Sequence, residues 1–352
     1  MAERPYFTIV TPVYKGRDFL AGCVNSVREQ GFDDYEHLLI DDGSPDDSGV
    51  LCDSLAAADG HIRVIHQQNA GVTGARNTGI RTAKGLYLLF LDQDDRFGPC
   101  ALQAIHNVLT GCGHDLVSWR HHGQWAEMCT DAAQAIPTRY AQPDFGKLYN
   151  TGTVHYVWTK AFPVDFLREK DLRFDETIQD GTDDLPFVLA FWRAWFDSYP
   201  SAGILYISQF LYYYEIGNDA SVSNKPQPFL PSHLTMFSDL LCDLESRYHV
   251  PPGEMALAQY QTLHTLAYSV YSTPPKDRRA LRKELFCDPR FTAILDRVAQ
   301  NRVYSPFYLP FRFRNQWLIR LIFRSYEGRR WLFWKAYRLG LFLLGSGWRE
   351  CF

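Results

Sequence analysis

Six apolar residues, Leu86 to Leu91, follow Gly85 and run straight into Asp92-Gln93-Asp94-Asp95. A run this short predicts a strand buried on both faces of a parallel sheet. Because it stops on acids, it sets them at the carboxyl edge of that sheet, where open α/β folds take their ligands. Three carboxylates this close repel one another unless something positive sits among them. A divalent cation with hard oxygen ligands is one answer. A solvated Asp-rich turn capping the next helix is the other.

The preceding residues repeat the theme. Residues 7–14 form a β-branched strand, with Pro12 near its end where pairing should stop. Residues 18–30 carry helical spacing, closed by Gly31. Residues 36–40 form a second strand ending on Asp41-Asp42-Gly43-Ser44, followed by a helix over 46–59 that starts at Asp46 or Asp47. A third strand covers 62–65, and the segment from Asn69 to Asn77 opens a third helix ending near Gly85. This alternation predicts an α/β fold with a mostly parallel sheet and right-handed crossovers. Neither Gly-x-Gly-x-x-Gly nor a Gly-Lys-Ser/Thr phosphate loop is present, which argues against a Rossmann dehydrogenase and a P-loop enzyme.

Past Asp95 the spacing predicts a helix at 99–111, a strand at 115–119, irregular polar loops over 120–150, and a short strand or turn at 157–162 leading to a helix ending near 170. An acidic loop, 177–184, precedes an apolar helix at 185–196, and 206–215 reads as a strand with a loop at 221–224 beyond it. From about Pro231 the spacing is helical, over 232–248, 254–272, 276–286 and 290–301. The expected domains are 1–230, with a donor half to about 98 and an acceptor half over 99–230, then a helical extension, 231–300, and a tail, 301–352.

The tail holds ten Lys/Arg against two Glu and 15 of the 53 aromatic residues, among them Trp317, Trp331, Trp334 and Trp348. The rest of the chain is acidic, and the net charge of −4 argues against a general nucleic-acid binder. Basic residues set among Trp, Phe and Leu, without a long apolar span, suit helices lying in a membrane interface. The same composition suits packing on the protein's own surface or on another subunit. The eight cysteines include no Cys-x-x-Cys pair, so neither a zinc site nor a disulfide framework is expected. With no opening signal peptide and no spanning run, the expected location is cytoplasmic, peripheral on the inner face of the cell membrane.

Five features fall in order: Thr11-Pro-Val-Tyr14; Asp41-Asp-Gly-Ser44; Asn69-Ala-Gly through Ala75-Arg-Asn77; Phe90-Leu-Asp-Gln-Asp-Asp95; and Asp183-Asp184 before a helix. Together they resemble the family 2 glycosyltransferases, inverting enzymes of the GT-A fold that use nucleotide-sugar donors. The resemblance covers about residues 5–225. It implies a GT-A-type nucleotide-binding sheet flanked by helices, followed here by a helical C-terminal extension. It puts Pro12, Val13 and Tyr14 against the base, with Asp41 or Asp42 accepting a hydrogen bond from its ring N–H, which suits uracil because a carboxylate only accepts. Within the matched segment, Asn69 joins the donor site and Arg76 approaches the base or diphosphate, or else pairs with a structural acid. Asp92 and Asp94 match the family's Asp-x-Asp. Asp94 would bind Mg²⁺ or Mn²⁺, and Asp92 would touch the ribose or join the metal. Asp95 would support the site or cap the next helix.

Asp184 takes the place of the acid in the family's Glu-Asp motif and is the expected general base; Asp183 replaces the Glu. The alternative for this pair is a cap on the following helix. Lys15 stands where many relatives have Asn, and no role falls to Lys160. His66 and His155 read as structural. The Gln-x-x-Arg-Trp motif of processive synthases is absent after residue 184. The implied function is metal-dependent transfer from a UDP-sugar to a saccharide or lipid-linked saccharide in capsular, exopolysaccharide or cell-wall glycan synthesis. A sugar nucleotidyltransferase and a non-catalytic nucleotide-sugar- or membrane-binding scaffold are the rival readings, and the tail is the expected membrane contact or subunit interface.

Overall fold

The computed structural model describes residues 4–123, 135–178, 181–215 and 231–328. The chain forms two compact units: residues 1–141 with 151–224, and residues 142–150 with 225–352.

The first unit is the α/β body. It runs β1 (Phe7–Val13), α1 (Arg17–Arg28), β2 (Tyr35–Asp41), α2 (Ser48–Ala58), β3 (Ile62–His66), α3 (Gly71–Thr82) and β4 (Tyr87–Phe90). After the acidic turn come β5 (Arg96–Phe97), α4 (Ala101–Leu109), β6 (Leu116–His122) and β7 (Thr138–Tyr140). Residues 142–150, including the short α5 (Phe145–Tyr149), belong to the second unit. The first resumes with β8 (Phe162–Pro163), α6 (Val164–Glu169), α7 (Asp184–Ser198) and β9 (Ile204–Tyr213).

The main sheet has the order β3-β2-β1-β4-β8, parallel except for β8. Pro163 lies in that two-residue outer strand, where a missing N–H costs least. Val10 pairs with both Leu38 and Phe90, and Val13 pairs with Asp41, so β1 and β2 end level while β4 stops three residues short of them. Asp92, two residues past the end of β4, therefore lies at the same carboxyl edge as Asp41 and Asp42. Helix α3 lies close on β1: a Cβ at Gly79 would come within 2.4 Å of Val10 Cγ1. That approach sinks the buried α3 face, with Arg76, into the sheet side of the fold.

A second sheet carries the rest of the unit, with β9 pairing β5, β6 and β7. The two-residue β5 and β8 and the three-residue β7 escape prediction because such short runs carry no periodicity. The stretch 157–159 is a 3-10 turn.

In the second unit α8 (Pro231–Cys242) passes into a π-helical turn, 243–247, followed by α9 (Ala256–Ser272), α10 (Arg278–Phe286), α11 (Pro289–Gln300), α12 (Tyr308–Arg312) and α13 (Gln316–Gly328). The helices pack through apolar faces such as Leu263, Leu266, Ile294 and Phe307. Among the described residues no helix is long and apolar enough to cross a membrane. The loop expected at 221–224 and the tail residues from 329 on, with Trp331, Trp334 and Trp348, lie outside the described residues.

Candidate active site

The nucleotide-side candidates sit at the ends of β1 and β2. Val13 is buried and Tyr14 is 41% exposed, so these adjacent residues face in different directions. Asp42 is 2% exposed, and its Oδ1 accepts from Gln67 Nε2 at 2.7 Å and from the Ala70 amide at 2.9 Å. It caps no helix; it ties the end of β2 to the loop before α3, leaving Asn69 exposed beside it. Asp41 accepts from the Ser44 amide at 3.1 Å and lies 2.8 Å from His66 Nδ1, whose other ring nitrogen is 3.1 Å from Asp53. Burial raises the Asp41 carboxyl, but the His66 and Ser44 hydrogen bonds outweigh it and hold it below the usual carboxylate range. The bonds to Asp41 and Asp53 in turn raise the His66 imidazole.

The 92–95 turn is fixed from three sides. The Gln93 side chain accepts from the Tyr14 N–H and donates to the Tyr14 carbonyl, both at 3.0 Å, so it pairs with the end of β1 as a strand would. Asp95 accepts from Tyr212 Oη at 2.7 Å and from the Glu215 amide at 2.9 Å, and the Asp92 amide donates to the same Tyr212 oxygen at 3.2 Å. Asp95 therefore pins the turn to β9 and does not cap α4. Burial, then the neighbouring Asp92 and Asp94, push its carboxyl well above the ordinary range.

Arg76 joins the two acidic motifs. Its Nη2 donates to Asp92 Oδ1 at 3.0 Å, and its Nη1 to Asp183 Oδ2 and Asp184 Oδ1, both at 2.7 Å. The guanidinium is 5% exposed and lies over the Phe90 and Phe174 rings. In the structure Arg76 is paired with these three carboxylates. The alternative of a helix cap fails for Asp183, which starts α7 without a capping hydrogen bond.

Asp183 and Asp184 differ in access. The Asp183 side chain is 3% exposed and that of Asp184 is 16% exposed. Burial lifts both, Arg76 opposes the lift, and the Asp184 carboxyl is pushed up to about 7. Asp184 Oδ2 also accepts the Val157 amide at 3.1 Å. The loop supplying that amide is stapled by Lys160, which had no role in sequence. Its buried Nζ donates to the carbonyls of Thr153 and Tyr156, both at 2.6 Å, and burial lowers its ammonium to about 7.

Among the described residues no group of three or more His, Cys, Asp or Glu is arranged to hold a metal ion. A Mg²⁺ ion on a nucleotide needs fewer, since one or two carboxylates suffice when phosphates and water complete the shell. Asp92 Oδ1 is engaged by Arg76, and the two Asp95 oxygens are engaged by Tyr212 and by the Glu215 amide. Asp94, half-buried in the turn, and the second oxygen of Asp92 match that smaller donor set in number and hardness.

Residues 8–124 match the family model described as glycosyl transferase family 2. The chain is 31% identical over 195 residues to the uncharacterized glycosyltransferase EpsJ of Bacillus subtilis, covering 54% of this chain and 56% of that relative. It is 40% identical over 89 residues to the glycosyltransferase GlyG of Streptococcus pneumoniae, covering 25% of this chain and 30% of the other. The chain thus spans about half of EpsJ and less than a third of GlyG. Among solved structures, S. aureus TarS 1-349 in complex with UDP-GlcNAc superposes with a TM-score of 0.65 at 14% identity, covering 92% of this chain and 91% of that one. The same TarS segment in complex with UDP gives a TM-score of 0.63.

Proposed function

We propose, from the premise that this chain is a family 2 glycosyltransferase of the GT-A fold, that it transfers a sugar from a UDP-sugar to a saccharide or lipid-linked saccharide with inversion. The carrying observation is the Arg76 hub, which brings the donor-turn Asp92 and the α7 carboxylates onto one cation. Asp184 is the general base. It is more accessible than Asp183, and a carboxyl near 7 suits proton removal at neutral pH. Asp184 takes the acceptor hydroxyl proton, the hydroxyl oxygen attacks the anomeric carbon, and the bond to the diphosphate breaks to release UDP. Pro12, Val13, Tyr14, Asn69, Asp41 and Asp42 form the nucleotide side, with Asp42 Oδ2 or Asp41 accepting from the uracil N–H. Asp94, with Asp92, would hold Mg²⁺ or Mn²⁺, which when bound offsets charge on the departing diphosphate.

The TarS fold neighbour solved with UDP-GlcNAc supports the choice of donor class, and the glycosyltransferase relatives EpsJ and GlyG support sugar transfer. UDP release from a panel of UDP-sugars, with saccharide acceptors and with Mn²⁺, Mg²⁺ or EDTA, tests the reading. Metal-dependent release lost in Asp94→Ala is the expected result. Release that survives both EDTA and Asp94→Ala removes the metal assignment, and pyrophosphate in place of UDP moves the chain to the nucleotidyltransferases.

Attachment to the cytoplasmic face of a membrane is the second part of the proposal. Phe313, Trp317 and Leu321 recur every four residues and are 74%, 70% and 47% exposed, with the exposed Arg314 and Arg324 alongside. Aromatic and basic groups leading into and along one short helix suit an anionic lipid interface. Flotation with anionic liposomes, reduced by Trp317→Ser, is expected; a salt-independent dimer and no flotation would assign this face to a second subunit.

A further inference from the structure

Beside Asp184 lies a row of aromatic rings that the transfer chemistry does not use. Trp158 stacks with Tyr156 at a centroid distance of 4.5 Å and 16° between planes. It stacks with Tyr212 at 4.5 Å and 18°, and lies parallel to Tyr214 at 5.8 Å and 11°. Trp158 is 4% exposed and Tyr212 is fully buried, whereas Tyr156 is 37% exposed. Tyr156 is thus the solvent-facing ring of a pile whose backing is rigid.

The row has a fixed place in the site. At one end, Tyr212 Oη contacts both Asp95 and the Asp92 amide of the donor turn. At the other, Tyr156 adjoins Val157, whose amide holds Asp184. The Tyr156 carbonyl is itself held by Lys160, so the backbone presenting the ring is tied down from within. The rings therefore run from the donor turn to the candidate base, the interval an acceptor must enter.

We propose that Tyr156, backed by Trp158, is a stacking platform for the acceptor, a hexopyranoside that lays an axial C–H face on the ring. The face of an aromatic ring is electron-rich and apolar. Pyranoside C–H groups are its complement, while the sugar hydroxyls stay free for polar contacts. Binding sites are commonly built in this way, with aromatic walls and a few placed polar groups. The role rests on the glycosyl-transfer reading, deepens it to an acceptor class, and makes Tyr156 a specificity residue separate from the base.

Saturation-transfer NMR on the full chain tests it. The probes are UDP together with methyl β-glucoside, methyl β-galactoside and methyl N-acetyl-β-glucosaminide. At least one glycoside is expected to receive saturation on its axial ring protons. Tyr156→Ala should cut that signal at least fivefold, Tyr156→Phe should keep it within twofold, and the UDP signal should stay unchanged in both. An unchanged glycoside signal in Tyr156→Ala overturns the proposal, as does equal loss in Tyr156→Phe, which would assign the contact to the hydroxyl. Silence of all three glycosides on the unsubstituted chain overturns it too. Absence of UDP signal from that chain counts instead against the nucleotide-sugar reading, and the glycoside signals still judge the platform.

Discussion

Apart from Asp92, the acids at the strand ends and the acids at the start of α7 are held by opposite means. Asp41, Asp42 and Asp95 are fixed largely by neutral donors and backbone amides at the carboxyl edge of the parallel strands. Asp183 and Asp184 are fixed by one buried cation more than a hundred residues away in sequence, with one loop amide added for Asp184. The difference teaches where each half is vulnerable. Register places the strand-end acids whatever their charge, whereas the α7 pair depends on a charge balance that one substitution destroys.

The widest break should come from Arg76→Met. It leaves three carboxylates without their cation, and breaking such buried pairs costs about 3–5 kcal/mol. In a unit of this size, thermal unfolding should move down by on the order of 10 °C. Protonation relieves the stranded acids, so the deficit against the unsubstituted chain should shrink as pH falls below 7. A deficit equal at pH 5 and pH 8 would mean that Arg76 stabilises by packing on Phe90 and Phe174 instead.

Asp184→Asn tests the other half of the contrast. Loss of a general base typically costs about 10²–10⁴-fold in rate, while UDP affinity should hold within about twofold because the strand-end acids are untouched. Normal turnover would remove Asp184 as the base.

A pH series sharpens the same point without a mutation. The base must be ionised, so turnover should rise with pH through about 7. Its folded pKa stands above the unfolded value, so the native state holds the proton longer. The stability this contributes is complete below the ordinary carboxylate range and fades as pH rises through about 7. Activity and melting temperature should therefore run in opposite directions across that window. Asp42→Ala is the strand-end counterpart. It removes the acceptor of the loop before α3 and, on the proposed reading, that of the uracil N–H, and should weaken UDP binding by about tenfold, the worth of one net hydrogen bond to a charged group, with little change in the pH profile.

Sequence showed the strand-end half almost whole. Apolar runs that stop on acids announce both the parallel sheet and the edge where its acids gather, and β1 to β4 fall within two residues of their expected bounds. It showed the identity of Asp183 and Asp184 but not what holds them, because Arg76 offers the same side chain to a phosphate or to an acid until the fold brings one close. Lys160 was silent for a related reason. A lysine next to Trp-Thr reads as surface unless three carbonyl and hydroxyl partners are known to wait inside. The Tyr212-Tyr213-Tyr214 run read as a strand, but which ring reaches the acidic turn follows from β9 pairing with β5 and β6, a long-range fact.

Gln93, the middle residue of Asp92-Gln93-Asp94, carries a constraint of a different kind. A Cβ at Gly16 would fall 2.0 Å from its Oε1. Alanine at 16 is admitted only if the amide swings away, surrendering both bonds to Tyr14, a loss of about 1 kcal/mol at an exposed site. Positions 16 and 93 are thus a linked pair for anyone redesigning this pocket. A larger residue at 16 calls for a shorter one at 93, and a library that varies either alone will sample a loosened end of β1 rather than a new specificity.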